Sequence, residues 1–180
     1  LKQIGRASIR ATHTVNQLLA LARAETTGRS LAKQRLDLVH ILAEAIQDSV
    51  PRALEKRIDL GYEGPESDAA VHLWGQPVLL RELVRNLVDN ALQYTPSGGT
   101  VTARLMSDPF GQVVVLQVED SGPGIPESER ELVFQPFYRA LGTTVDGSGL
   151  GLAIVAEIAA QHGTTIVLDD ARAAHQVPPG

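Results

Sequence analysis

Residues 82–94 read ELVRNLVDNALQY, and within them Glu82, Asn86 and Asn90 recur every four residues. A helical step of four advances about 40° around the axis, so these three side chains form one narrow polar stripe. Leu80, Leu83, Val84, Leu87, Val88 and Ala91 fall on a broad arc centred more than about 100° away, wide enough to bury. The stretch therefore predicts an amphipathic helix with a core side and a chemical side. A lone E-x3-N-x3-N pattern marks a solvated helix face more often than a site, so its meaning depends on the chain around it.

Two glycine-rich segments follow, DSGPG at 120–124 and GSGLG at 147–151. Neither is a dinucleotide fingerprint: Leu152 stands where Gly147-x-Gly149 would need a third small residue, and Glu127 does so after Gly122-x-Gly124. A G-x4-G-K-[ST] phosphate loop is absent. Each cluster alone reads as a turn more often than as a ligand site. Taken with the polar helix, they supply what a purine nucleotide needs. Asp120 ends an apolar strand, where a carboxylate can accept from an exocyclic amino group and favour adenine over guanine. Gly122 and Gly124 let the backbone approach the ring, and Ile125 offers an apolar wall. Gly147, Gly149 and Gly151 precede a helix whose N-terminal amides can hold phosphate oxygens. Asn86 can give one neutral oxygen to Mg2+, which takes the rest of its octahedron from phosphates and water. Asn90 can bond the phosphates or position the metal's waters.

The remaining chain frames this constellation. From Leu1 to Glu25, Ile4, Ala7, Ala11, Val15, Leu18 and Ala22 alternate spacings of three and four, the seam of a coiled coil, which Leu19 and Leu21 broaden. Such a helix needs a missing helix, a second subunit or both to cover its stripe. A polar linker, 28–35, precedes a helix from about Leu38 to Lys56 capped by Asp37, which Pro51 should kink or split. Ile58, Leu60 and Tyr62 alternate as a strand, with Val71, Leu73 and Trp74 as the second strand of a hairpin. Pro77 starts the polar helix. Thr100–Met106 and Gln112–Glu119 form a second hairpin. A helical patch covers Glu127–Phe134, and Ala140–Ser148 is a mobile loop. A helix spans about Leu150–His162, and Thr164–Leu168 forms a strand. This order predicts an α+β two-layer sandwich, with helices on one face of a mixed, mostly antiparallel sheet, preceded by an amphipathic coiled-coil helix.

A net charge of −5 with scattered Lys and Arg disfavours direct binding of nucleic acid. Without cysteine there is neither a disulfide nor a thiolate metal site, and the five histidines lack the paired spacing of a zinc helix. Neither a signal peptide nor an apolar run of about 18 residues is present. The chain opens in mid-pattern at Leu1 and ends in Val177-Pro178-Pro179-Gly180, so a longer parent protein is expected.

Four segments together resemble the catalytic, ATP-binding domain of bacterial sensor histidine kinases, of the GHKL (Bergerat-fold) ATPase group. ELVRNLVDNALQYTP resembles the N box, EDSGPGIP the G1 box, FQPFYR the F box and GSGLGLAIV the G2 box, in the family's order. The likeness covers about Leu36 to Leu168. LLALARAE, at 18–25, resembles the end of the second helix of the family's dimerisation and phosphoacceptor hairpin.

The resemblance implies three parts: 1–27 from that hairpin helix, 28–35 as linker and 36–180 as ATP-binding domain, its last strand missing. It makes Glu82 the base or positioner for an attacking histidine, Asn86 the Mg2+ ligand, and Asn90 and Tyr94 nucleotide contacts. Asp120 would meet the adenine amino group, with Gly122, Gly124 and Ile125 at the ring. Gly147, Gly149, Leu150 and Gly151 would hold the phosphate end. Pro126–Ser148 would be the ATP lid, anchored by Phe134 and Phe137 on the core or the stem. Arg139 would stabilise the transferred phosphoryl group or form a surface salt bridge. The family's phosphoacceptor box, a histidine followed by an acid and shortly by a proline, is absent; Thr14 and Val15 follow His13. The implied activity is transfer of the ATP γ-phosphoryl group to a histidine outside this chain, for relay to a response-regulator aspartate. The implied partners are the phosphoacceptor hairpin of its own dimer and a cognate response regulator, in a membrane-anchored homodimer with this part in the cytoplasm. A GHKL serine kinase and a non-catalytic nucleotide-sensing or dimerisation module are the alternatives.

Overall fold

Asp37 closes one strand and opens the helix that follows it. Its carboxylate accepts from the amide of Val39 at 3.0 Å, the bond of an N-cap, and from that of Val71 at 3.2 Å. One side chain thus joins β1 (Gln34–Asp37), α1 (Leu38–Lys56) and the approach to β3 (His72–Gly75). The computed structural model describes residues 32–66, 71–108, 110, 113–140 and 147–171, together with Val15, Leu18, Leu19 and Ala22. These last four are helical and exposed; the rest of the amphipathic segment 1–25, His13 included, lies outside the described residues, as do loop residues 141–146 and the tail from 172.

The other elements are β2 (Asp59–Glu63), α2 (Pro77–Tyr94), β4 (Thr100–Ser107), β5 (Val114–Asp120) and α3 (Gly151–Gln161). The main sheet has the order β2-β4-β5, with β2 parallel to β4 and β4 antiparallel to β5. The mixed sheet and its covering helices are the architecture anticipated from the sequence. The main core gathers Leu38, Ile41, Leu42 and Ala53 of α1, Leu80, Val84, Val88 and Leu92 of α2, and Val101, Ala103 and Leu105 of β4. A second cluster joins Leu79 of α2 to Leu150, Ile154 and Ile158 around α3. Helix α2 therefore buries two flanks, and its polar stripe emerges beside the second of them.

Four local expectations change. Segments 58–62 and 71–74 do not form a hairpin: β3 pairs with β1, Trp74 opposite Arg35, and β2 pairs with β4. The Tyr62 hydroxyl donates to the Pro65 carbonyl at 2.9 Å and curls the chain away, while Asp37 and the Leu38 amide draw Val71 to the start of α1. Helix α1 runs unbroken through Pro51, whose ring lies on an exposed face. Residues 127–134 form two short 3-10 turns instead of one helical patch. Segment 164–168 joins no ladder among the described residues. Arg130 instead donates to the Leu168 carbonyl at 3.4 Å and pairs with Asp170.

Candidate functional site

The polar stripe of α2 is ordered from within. Asn86, 6% exposed, donates from Nδ2 to the Glu82 carbonyl at 2.8 Å and to Glu82 Oε1 at 3.0 Å. This orients the Glu82 carboxylate and turns the Asn86 oxygen toward the start of α3. A Cβ added to Gly151 would lie 3.5 Å from that oxygen. Asn90 and Tyr94 continue the stripe, both half-buried.

The two glycine segments meet the same helix. A Cβ on Gly122 would stand 3.0 Å from the Tyr94 carbonyl and 2.6 Å from Asp120 Oδ1. That carboxylate oxygen accepts from the Gly122 amide at 2.8 Å, shaping the turn and leaving the other oxygen for a partner. Gly124 takes φ +71, open to glycine at little cost, and Ile125 is half-buried. A Cβ on Gly147 would lie 2.8 Å from Gln93 Nε2 and 3.7 Å from the Tyr94 hydroxyl. Gly149, at φ +72, packs on backbone: its missing Cβ would fall 2.7 Å from both Phe137 C and Tyr138 O. Its carbonyl accepts from the Phe137 amide at 2.9 Å.

Four residues sit differently from a simple ring around a ligand. The Leu150 side chain is wholly buried in the second core cluster, and Ser148 Oγ accepts from its amide at 3.2 Å. Phe134 is half-buried, whereas Phe137 is 59% exposed at φ +66 and holds its segment through its backbone. Arg139 is exposed on the segment that follows. The sequence pattern assigns no role to Gln93, Ser121 or Lys56. Gln93 borders Gly147, the Ser121 hydroxyl accepts from the Thr100 amide at 2.8 Å, and Lys56 reaches the end of α2. Gln93 and Ser121 carry a signal, their places beside Tyr94 and between Asp120 and Gly122, whereas Lys56 carries none. A cavity of about 470 Å³ lies elsewhere, bordered by Arg35, Leu36, His40, Pro77 and Arg81, and touches none of the motif residues. Among the described residues no cluster of three or more His, Cys, Asp or Glu is placed to hold a metal by itself.

A polar helix met on one side by two glycine turns and an acid-ended strand defines a class. Over residues 75–177 the chain matches the histidine kinase-, DNA gyrase B-, and HSP90-like ATPases, and it belongs to that family. Its relatives are sensor histidine kinases. Sensor protein QseC of Salmonella typhi is 38% identical over 162 residues, which cover 90% of this chain and 34% of that protein. The signal transduction histidine-protein kinase/phosphatase MprB of Mycobacterium sp. (strain KMS) is 37% identical over 158 residues, 87% of this chain and 29% of that one. The chain thus spans about a third of the length of these curated relatives. The solved cytoplasmic segment of histidine kinase QseC matches with a TM-score of 0.60 and 29% identity, covering 91% of this chain and 85% of that one. Full-length ShkA in complex with AMPPNP matches with a TM-score of 0.70 and 29% identity, over 88% of this chain and 32% of that one.

Proposed function

We propose that this chain is the ATP-binding catalytic part of a sensor histidine kinase, transferring the γ-phosphoryl group of ATP to a phosphoacceptor histidine that lies outside this chain. From there the group passes to an aspartate of a response regulator. The observation that carries the reading is the convergence on α2 of both glycine segments: Gly122 at the Tyr94 carbonyl, Gly147 at Gln93 and Gly151 at Asn86. Family membership and the AMPPNP complex of ShkA support ATP as the ligand.

The free carboxylate oxygen of Asp120 accepts from the adenine amino group, and Gly122, Gly124 and Ile125 flank the ring. Amides at the start of α3, around Gly147, Gly149 and Gly151, hold phosphate oxygens, as does Asn90. Mg2+ fits the donor set: one neutral oxygen at Asn86, with no acidic cage among the described residues, suits an ion that keeps phosphates and water in its shell. Bound there, it would neutralise phosphate charge. Glu82, oriented by Asn86, deprotonates or positions the incoming imidazole, and Arg139 offers a cation to the transferred group. Catalysis is positioning plus electrostatics, as in phosphoryl transfer generally.

In this reading residues 1–27 belong to the second hairpin helix, 28–35 link it, and 36–180 bind ATP, within a membrane-anchored homodimer whose kinase part faces the cytoplasm. Among the described residues no helix is long and apolar enough to cross a membrane. The test is incubation with γ-labelled ATP and a separate histidine-bearing hairpin. Acid-labile label on the hairpin is expected. Acid-stable label would indicate a hydroxyl acceptor, and bound ATP without transfer would leave only a nucleotide-sensing module; either result overturns the proposal.

A further inference from the structure

The ammonium of Lys56, in the last turn of α1, reaches the end of α2. There it donates to three backbone carbonyls: Leu92 at 2.5 Å, Gln93 at 3.0 Å and Thr95 at 2.8 Å. An ammonium has three N–H donors, so all of them serve one helix end. The last carbonyls of a helix lack intrahelical partners, and a cation there also meets the negative end of the macrodipole. The last turn of α2 has no basic residue of its own, so the compensating charge comes from another helix. Burial lowers the pKa of the Lys56 ammonium, with the charge of Arg52 adding to the effect. The side chain is half-buried over these carbonyls.

This end of α2 is the wall behind Asp120. The Tyr94 carbonyl, between two carbonyls that Lys56 holds, is the backbone atom against which Gly122 packs, and the Gly122 amide fixes Asp120 Oδ1. A second path runs from Arg57, whose carbonyl accepts from the Gly98 amide at 3.1 Å, through the Gly99 carbonyl, which accepts from Asp59 at 2.9 Å. It reaches Ser121 through the Thr100 amide. The end of α1 is therefore tied to the turn at 120–122 by two routes, one through residues 92–95 and the other through residues 98–100.

We propose that Lys56 is a positioning residue for the purine end of the nucleotide site, fixing the last turn of α2 and, through the Tyr94 carbonyl and Gly122, the placement of the Asp120 carboxylate. The assignment rests on the nucleotide reading above and extends it to a residue that touches no ligand. Its consequence is that Lys56 governs recognition of the base and acts alike on ATP and ADP.

The test is calorimetric titration of the 180-residue chain with ATP, ADP and GTP, for the native sequence, Lys56→Met and Lys56→Gln, beside urea denaturation of each. Lys56→Met should weaken ATP and ADP by the same factor, about tenfold, and narrow the preference for ATP over GTP. Lys56→Gln, with two N–H donors, should fall between. A purely structural clamp would lower stability and leave the affinity of the folded fraction within about twofold of native, which overturns the assignment. So does a loss confined to ATP, which would place Lys56 at the γ-phosphate. If Lys56→Met does not fold, Lys56→Gln decides on the same criteria. A native chain that binds neither ATP nor ADP overturns the nucleotide reading and this assignment together, whereas native binding with unchanged variants overturns this assignment alone.

Discussion

Asp120→Asn separates the fold of the G1 turn from its recognition of the base. The Asp120 oxygen that accepts from the Gly122 amide at 2.8 Å has an equivalent in asparagine, so the turn survives. The other oxygen becomes an NH2 group, which presents a donor to the donor of adenine. A hydrogen bond to a charged acceptor contributes about 1.5–3 kcal/mol, so ATP affinity should fall on the order of 10- to 150-fold. Guanine carries a carbonyl where adenine carries its amino group, so GTP should lose less than ATP or gain. Titration of both nucleotides, with a urea melt showing unchanged stability, measures the effect. Equal ATP affinity in native and variant chains would refute the adenine assignment. A parallel loss for ATP and GTP would show that the site was disturbed as a whole.

Glu82→Gln should keep ATP binding while slowing transfer to a supplied hairpin by about 10²–10⁴, the range of a general base; an unchanged single-turnover rate would remove Glu82 from the chemistry. Gly149→Ala should destabilise the chain by about 2–4 kcal/mol, combining a left-handed Cβ with a 2.7 Å approach to the Phe137 and Tyr138 backbone. A urea midpoint within error of native would contradict that geometry. His162 Nε2 accepts from the Gln76 amide at 3.1 Å while Nδ1 lies 2.8 Å from the Ile158 carbonyl, so ¹⁵N NMR should find the Nδ1–H tautomer. Finding the proton on Nε2 would mean that the ends of α2 and α3 are not joined this way.

The helical period of residues 80–94 and the loop between residues 107 and 113 made α2 and the β4–β5 pair legible, because both signals are local. The β1–β3 pairing was not, since it depends on Asp37 serving two amides, Val39 and the distant Val71. Thr164, Thr165, Ile166 and Val167 are all β-branched, as suits a strand, yet propensity supplies no partner backbone. At the site, the glycines announced a close approach without saying to what; that Gly122 meets Tyr94 and Gly151 meets Asn86 emerges only from packing. Lys56 reads in sequence as an ordinary solvated residue at a helix end, because its three acceptors lie on another helix.

The parallel pairing of β2 with β4 sets an order on assembly. Asp59 faces Thr100 and Glu63 faces Arg104, so β2 finds its neighbour only after the whole of α2 has been made and has crossed over the sheet. On a growing polypeptide the edge of β2 stays bare until residues near Arg104 leave the ribosome, a window in which it can pair with another chain. A fragment ending at Tyr94 would keep Glu82, Asn86 and Asn90 yet lack the strand that closes the sheet behind them.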